Sequence, residues 1–328
     1  MGRQLLILLG GDPNQTESSK LLLDDGDLRT LYESLVLTRV VDQACTDLQQ
    51  SGELGFYISA MPAAASSAGA AIALEDGDWL FPSYRDLGAY LARGGQLEDL
   101  LAQVWGVEGD LVRGRQLPGQ GGLPDGRFVP PSGTVGASIS QAAGVAHGMQ
   151  LRQAPNVAMA IFGRGAMDQG SFLTGLATSV RHQAPAIFLC RTRGTERPTA
   201  LQRAAGLGLE TALVDGSDCL AVAQTVATAR RRALAGEGPV FIEAVLEPES
   251  AERDPARRFR GFVEHRGLWD AQREEDFNRR SESRVLDAIE TVRGRPPLSS
   301  ATMLEDVWAQ SPWMLQEQST RLRGGADD

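Results

Sequence analysis

What constrains this chain most is an alternation in its second half between short apolar runs and longer spacers of helical periodicity. The runs are NVAMAIFG (156–163), PAIFLC (185–190), ALVDG (212–216) and GPVFIEAVL (238–246). Between them stand MDQGSFLTGLATSVRHQ (167–183) and DCLAVAQTVATARRRALAG (218–236). Parallel strands need crossover helices, and those helices cover both faces of the sheet, so the strands read as apolar throughout rather than alternating. The pattern predicts an α/β fold: a mostly parallel sheet with helices on both faces, plus a helical C-terminal segment.

The first half is mainly helical. In DLRTLYESLVLTRVVDQACTDLQQSG (27–52), Leu31, Leu35, Val36, Val40, Val41 and Leu48 recur at helical spacing, with Asp27 as N-cap and Gly52 as stop. MPAAASSAGAAIAL (61–74) and ASISQAAGVAHGMQLRQ (137–153) are built from small residues, as suits buried helices that neighbours approach closely. Between them lies RGRQLPGQGGLPDGRFVPPSGTVG (113–136), a Gly- and Pro-rich loop long enough to suggest function. The expected organisation is a loosely attached arm at 1–26, an α/β domain at 27–253 and a polar helical segment at 254–328.

Composition removes several function classes. Of 328 residues, 42% are hydrophobic and 23% charged, ordinary for a globular chain. A net charge of −10 argues against nucleic acid as the main partner. Cys45, Cys190 and Cys219 are sparse and contain no C-x-x-C pair, which fits a reducing compartment and not a zinc site. LLILLGG (5–11) is too short to span a membrane and lacks a signal-peptide cleavage site. The expectation is a cytoplasmic protein with no membrane partner.

The chemistry concentrates at AIFGRGAMDQGSF (160–172), where Gly163-Arg164-Gly165 joins a strand to a helix. Strand ends of this kind are where α/β proteins place cofactors, and two glycines let a phosphate approach the backbone. An acidic residue between them could hold a metal; Arg164 cannot.

These stretches, in type and order, resemble the α-subunit of the decarboxylating component of 2-oxo acid dehydrogenases (pyruvate, branched-chain and acetoin types). The resemblance is carried by LYESLVLTRVVD, GELGFY, GDWLFPSYRD, RGRQLPG, FVPPSGTVG, APAIFLC, VDGSD, GEGPVFIEA and the LEDVW and PWMLQEQ stretches near the end. It implies the thiamine diphosphate-binding type of fold and a cofactor shared with a β-subunit. It also implies a Mg²⁺ ion, and acyl transfer to the lipoyl-bearing acyltransferase core. In the family the diphosphate motif is Gly-Asp-Gly, a helix, a strand, then Asn-Asn, the Asp and the second Asn ligating Mg²⁺, which demands oxygen ligands.

Here the register of that motif is kept but the ligands are not. Arg164 takes the Asp position, Thr192 the first Asn position and Arg193, 29 residues beyond Arg164, the second. Arginine has five donors, no acceptor and a permanent charge. Leu87 and Gln120 stand where the family has histidines, and Thr174 where it has a Glu. The loop after Arg193 is shortened, and the family's His-bearing loop before DPARRFRGFVEHRGLW is missing. The resemblance implies cofactor contacts at Tyr84, Arg85, Val135, Gly136, Gly163, Arg164, Gly165 and Arg193, with no metal site and no catalytic residue.

Plainer roles compete. Arg85 could pair with Asp86, His147 reads as a packed core histidine, and Asp168 as a helix cap. The expected function is therefore an α-subunit homologue, paired with a β-subunit in a heterotetramer, with a degenerate cofactor site and a structural or regulatory role. Two alternatives stay open: a metal-independent decarboxylase whose thiamine diphosphate is held by the arginines, and a binding module for another phosphate-bearing ligand. The C-terminal tryptophans suit a subunit contact.

Overall fold

A computed structural model of the chain describes residues 5–9, 21–125, 127–193, 199–246, 254–305 and 308–324. The segments after Arg193 and before Asp254, where the resemblance implies shortened or missing loops, lie outside the described residues.

Five strands form one parallel sheet: β1 (Trp79–Phe81), β2 (Ala158–Gly163), β3 (Ala186–Arg193), β4 (Glu210–Asp215) and β5 (Val240–Leu246), in the order β1-β2-β3-β5-β4. The four long apolar runs are β2 to β5. The fifth strand, β1, is only three residues long because Pro82 follows it, and proline cannot supply a ladder donor.

The runs are apolar throughout because each strand faces two cores. Met159 and Ile161 of β2 enter one cluster, Ala158, Ala160 and Phe162 the other. The first face is covered by α1 (Asp25–Gln50), α2 (Ala64–Ile72), α3 (Leu87–Ala92) and α4 (Leu97–Trp105). Phe259 and Phe262 of Pro255–His265 and Val285, Ile289 and Val292 of Ala271–Arg293 join the same core. The second face is covered by α5 (Ala137–Leu151), α6 (Gly170–His182) and α7 (Thr199–Gly206).

Helix α1 begins earlier than its sequence suggests. Asp24, not Asp27, is the N-cap, and the two carboxylates form a reciprocal capping box. The small residues of α2 have a direct cause in packing. A Cβ on Gly69 would lie 2.4 Å from the carbonyl oxygen of Cys219, where α8 (Cys219–Leu234) begins. On another face Ser67 accepts a 2.9 Å hydrogen bond from the Ala89 amide of α3.

The arm is anchored rather than loose over residues 5–9. The Leu6 amide donates to Leu213 at 3.1 Å and its carbonyl accepts from Asp215 at 3.0 Å, which pairs the arm with the edge strand β4. The buried Asp218 carboxylate accepts from the amides of Leu8 and Leu9. No helix among the described residues is long and apolar enough to cross a membrane.

Candidate functional site

A cleft of about 420 Å³ opens at the carboxyl ends of β1 and β2. Each wall comes from a chain break that the sequence enforces. Pro82 ends β1 and turns Ser83 and Tyr84 into the cleft lining. The Gly-rich loop brings Leu117, Pro118 and Gln120 to a second wall. Thr134, Val135 and Gly136 lead into α5, and Gly163 and Gly165 form the turn after β2.

The glycines play two different parts. Gly136 is the N-cap of α5 with φ of 82°, and a Cβ there would lie 2.7 Å from the Ser171 hydroxyl. Glycine suits that position sterically, and it turns the amide end of α5 toward the cleft. At Gly163 and Gly165 a Cβ would meet nothing within 4 Å among the described residues. Those two glycines leave room beside the strand end instead of relieving a clash within the chain.

Tyr84, Val135, Gly136, Gly163 and Gly165 thus line one cleft. Arg85, Arg164 and Arg193 are not among its lining residues. Arg85 donates from Nη1 to the carbonyl of Ser59, with its guanidinium 5.5 Å from the centre of the Tyr84 ring. Ser59 is itself held by the buried Asp42, whose carboxylate accepts from the Tyr57 hydroxyl at 2.8 Å, the Ser59 hydroxyl at 2.8 Å and the Ala60 amide at 2.6 Å. Burial, reinforced by Cys45 and Asp42, pushes the Tyr57 hydroxyl far above its ordinary range, so it stays a donor.

Arg164 opens the 3₁₀ turn Arg164–Asp168, and Arg193 is the last residue of β3; both are exposed. Their strands are neighbours, Gly163 standing opposite Arg191. The two guanidinium groups therefore arise from adjacent strand ends. Guanidinium groups in themselves suit an anion, whose oxygens accept their hydrogen bonds. They do not fit Mg²⁺, because guanidinium offers it no oxygen and repels it. Among the described residues no three His, Cys, Asp or Glu side chains converge as a metal set.

Three plainer readings need correction. Asp86 pairs with Arg191, not with Arg85. Asp168 does not cap α6; it stands 3.7 Å from Arg203, and the N-cap position belongs to Gln169, whose side chain makes no cap bond. His147 is only half-buried and stacks on His182 with ring centres 4.1 Å apart.

Two residues at the site were not singled out as functional from the sequence. Arg191, which follows the apolar run of β3, reaches Ser66 at 3.0 Å and Ser83 at 3.2 Å besides its pair with Asp86. Gln120 is 5% exposed, and its Oε1 has no hydrogen-bond partner among the described residues. For Gln120 the available signal was its place where the resemblance gives the family a histidine. Its backbone is rigidly placed: Gln103 of α4 donates to the Leu117 carbonyl at 2.8 Å and accepts from the Gly119 amide at 2.8 Å.

The dehydrogenase E1 component family matches residues 32–247. The chain is 30% identical to the mitochondrial 2-oxoisovalerate dehydrogenase subunit alpha of Homo sapiens, across 89% of this chain and 73% of that protein. It is 31% identical to the pyruvate dehydrogenase E1 component subunit alpha of Bacillus cereus, across 90% of this chain and 86% of that protein.

Proposed function

Because the chain belongs to the dehydrogenase E1 component family, we propose that it is an α-type subunit that pairs with a β-type subunit in a heterotetramer. It serves a 2-oxo acid dehydrogenase and, through it, the lipoyl-bearing acyltransferase core. Its part is structural or regulatory, since its own cofactor site no longer holds Mg²⁺. The observation that carries this reading is the pair Arg164 and Arg193, both exposed at adjacent strand ends, in positions that the resemblance assigns to the family's metal ligands. Repulsion between two unit charges at 4 Å is about 1 kcal/mol in water and ~4 kcal/mol at an effective dielectric of 20, and the double charge of Mg²⁺ doubles it. Exposed Trp308 and Trp313 support the pairing, because tryptophan is favoured in interfaces. Three buried cysteines fit a cytoplasmic site of action.

Co-expression with a β-type subunit tests the assembly. Light scattering should show two chains of each kind, and truncation after Ala301 should abolish pairing while circular dichroism stays that of an α/β protein. A chain that remains monomeric beside the β-type subunit overturns the proposal.

Gln120 favours a second reading, in which the cleft still takes a ligand. A buried acceptor without a partner costs stability unless something fills the space. The ligand would bring an N–H or O–H donor to Oε1 besides its phosphate: thiamine diphosphate held by the arginines without metal, or another phosphate ester. Calorimetric titration with thiamine diphosphate and with pyrophosphate, with and without Mg²⁺, separates the readings. Metal-independent binding supports the second, no binding the first, and binding that requires Mg²⁺ sinks both.

A further inference from the structure

The Gly-rich loop that carries Leu117 and Gln120 into the cleft is gripped on its other side by a distant part of the chain. Residues 295–305 run alongside residues 107–115. Arg295 donates to the Glu108 carbonyl at 3.2 Å, the Glu108 amide donates to Pro296 at 3.0 Å, and Val107 bridges Pro297. Farther on, Arg115 donates from Nη2 to the carbonyls of Thr302, at 2.6 Å, and Glu305. Arg113 adds a 3.8 Å ion pair to Glu305 between exposed side chains.

We propose that residues 295–305 are a strap that fixes the wall of the cleft, and that Arg115 is its positioning residue. The short covalent path is the reason. Arg115 lies two residues before Leu117, and the backbone from Leu117 to Gly119 is clamped from inside by Gln103. The loop is thus held at two points, one by α4 and one by the strap. Releasing the outer point frees Leu117, Pro118 and Gln120 to move relative to Tyr84 and Gly163 across the cleft. The strap also leads on to the exposed Trp308 and Trp313. Whatever orders that end of the chain therefore acts on the cleft through Arg115. The anion-binding arm of the test rests on the second reading above; the strap itself does not.

Hydrogen exchange on the full chain tests it, with Arg115→Ala, Arg115→Lys and Arg113→Ala beside the parent. Arg115→Ala should speed exchange of the amides of residues 116, 117 and 119–121 about tenfold or more, the loss of at least one charged hydrogen bond. Exchange in β2 and β3 should not change, Arg115→Lys should restore part of the protection, and Arg113→Ala should resemble the parent. Unchanged exchange at 116–121, or acceleration shared by the whole sheet, overturns the strap. Where the parent chain binds pyrophosphate, Arg115→Ala should shift its affinity several-fold; an unshifted affinity beside faster exchange overturns the coupling to the ligand. If the parent binds no pyrophosphate, the anion reading of the cleft fails and exchange alone decides the strap.

Discussion

Asp86 and Arg191 form a buried ion pair that ties the turn after β1 to the end of β3. Ser83, which lines the cleft, joins both partners: its amide and hydroxyl donate to Asp86 at 2.7 and 2.9 Å, and its oxygen accepts from Arg191 at 3.2 Å. Removing one partner leaves an uncompensated buried charge. Asp86→Asn should therefore cost about 3–5 kcal/mol, while the double change to Asp86→Leu and Arg191→Met should cost far less than the sum of its parts. Guanidinium denaturation measures both. The exposed pair Arg321–Glu317 is the contrast, and Arg321→Ala should shift stability by under about 1 kcal/mol.

Restoring oxygen ligands should restore metal dependence. With Arg164→Asp and Arg193→Asn together, thiamine diphosphate binding by calorimetry should require Mg²⁺, whereas the parent chain should show no such requirement. Removing two permanent cations and supplying a carboxylate and an amide oxygen reverses the local preference from anion to cation.

Gln120→Leu should raise thermal stability. The substitution deletes a buried acceptor that has no partner and keeps the side-chain volume, a gain of about 1–2 kcal/mol. The same change should weaken any ligand that donates to Oε1. A lowered melting temperature would mean that the amide is satisfied in solution.

Gly69→Ala should destabilise. The new methyl group would meet the Cys219 carbonyl oxygen at 2.4 Å, and backbone at a helix start cannot swing aside. Overpacking of this kind costs about 1–3 kcal/mol, visible as a lower denaturation midpoint with an unchanged slope.

Cys45 sets a pH dependence. Burial, with the Asp42 carboxylate adding to it, pushes its thiol up to about 12. The unfolded thiol ionises near about 8.5. The stability this thiol contributes is complete below the unfolded value and is lost as pH rises toward the folded one. Between pH 8.5 and 10 the loss should be about 2 kcal/mol, and Cys45→Ala should lose that much less over the same range. A thiol reagent at pH 8 should label Cys45 only after denaturation.

The sequence alone determined the parallel sheet, its covering helices and the position of the Gly163-Arg164-Gly165 turn. Those features rest on run length, periodicity and motif register, which are local. It also carried the family, because ordered motifs spread over most of the chain cannot coincide by accident. Tertiary structure alone decided which side chains meet. Asp86 and Arg191 are 105 residues apart, and nothing local distinguishes Arg191 from Arg85 as the partner. Arg85 turns to Ser59 because Asp42, on a helix well before it in the chain, fixes that carbonyl. Gln120 becomes a buried acceptor where Gln103 draws the loop inward, and the arm is held where β4 and the buried Asp218 meet its backbone. Pairing and burial depend on which distant segments pack together, and a one-dimensional pattern does not contain that distance.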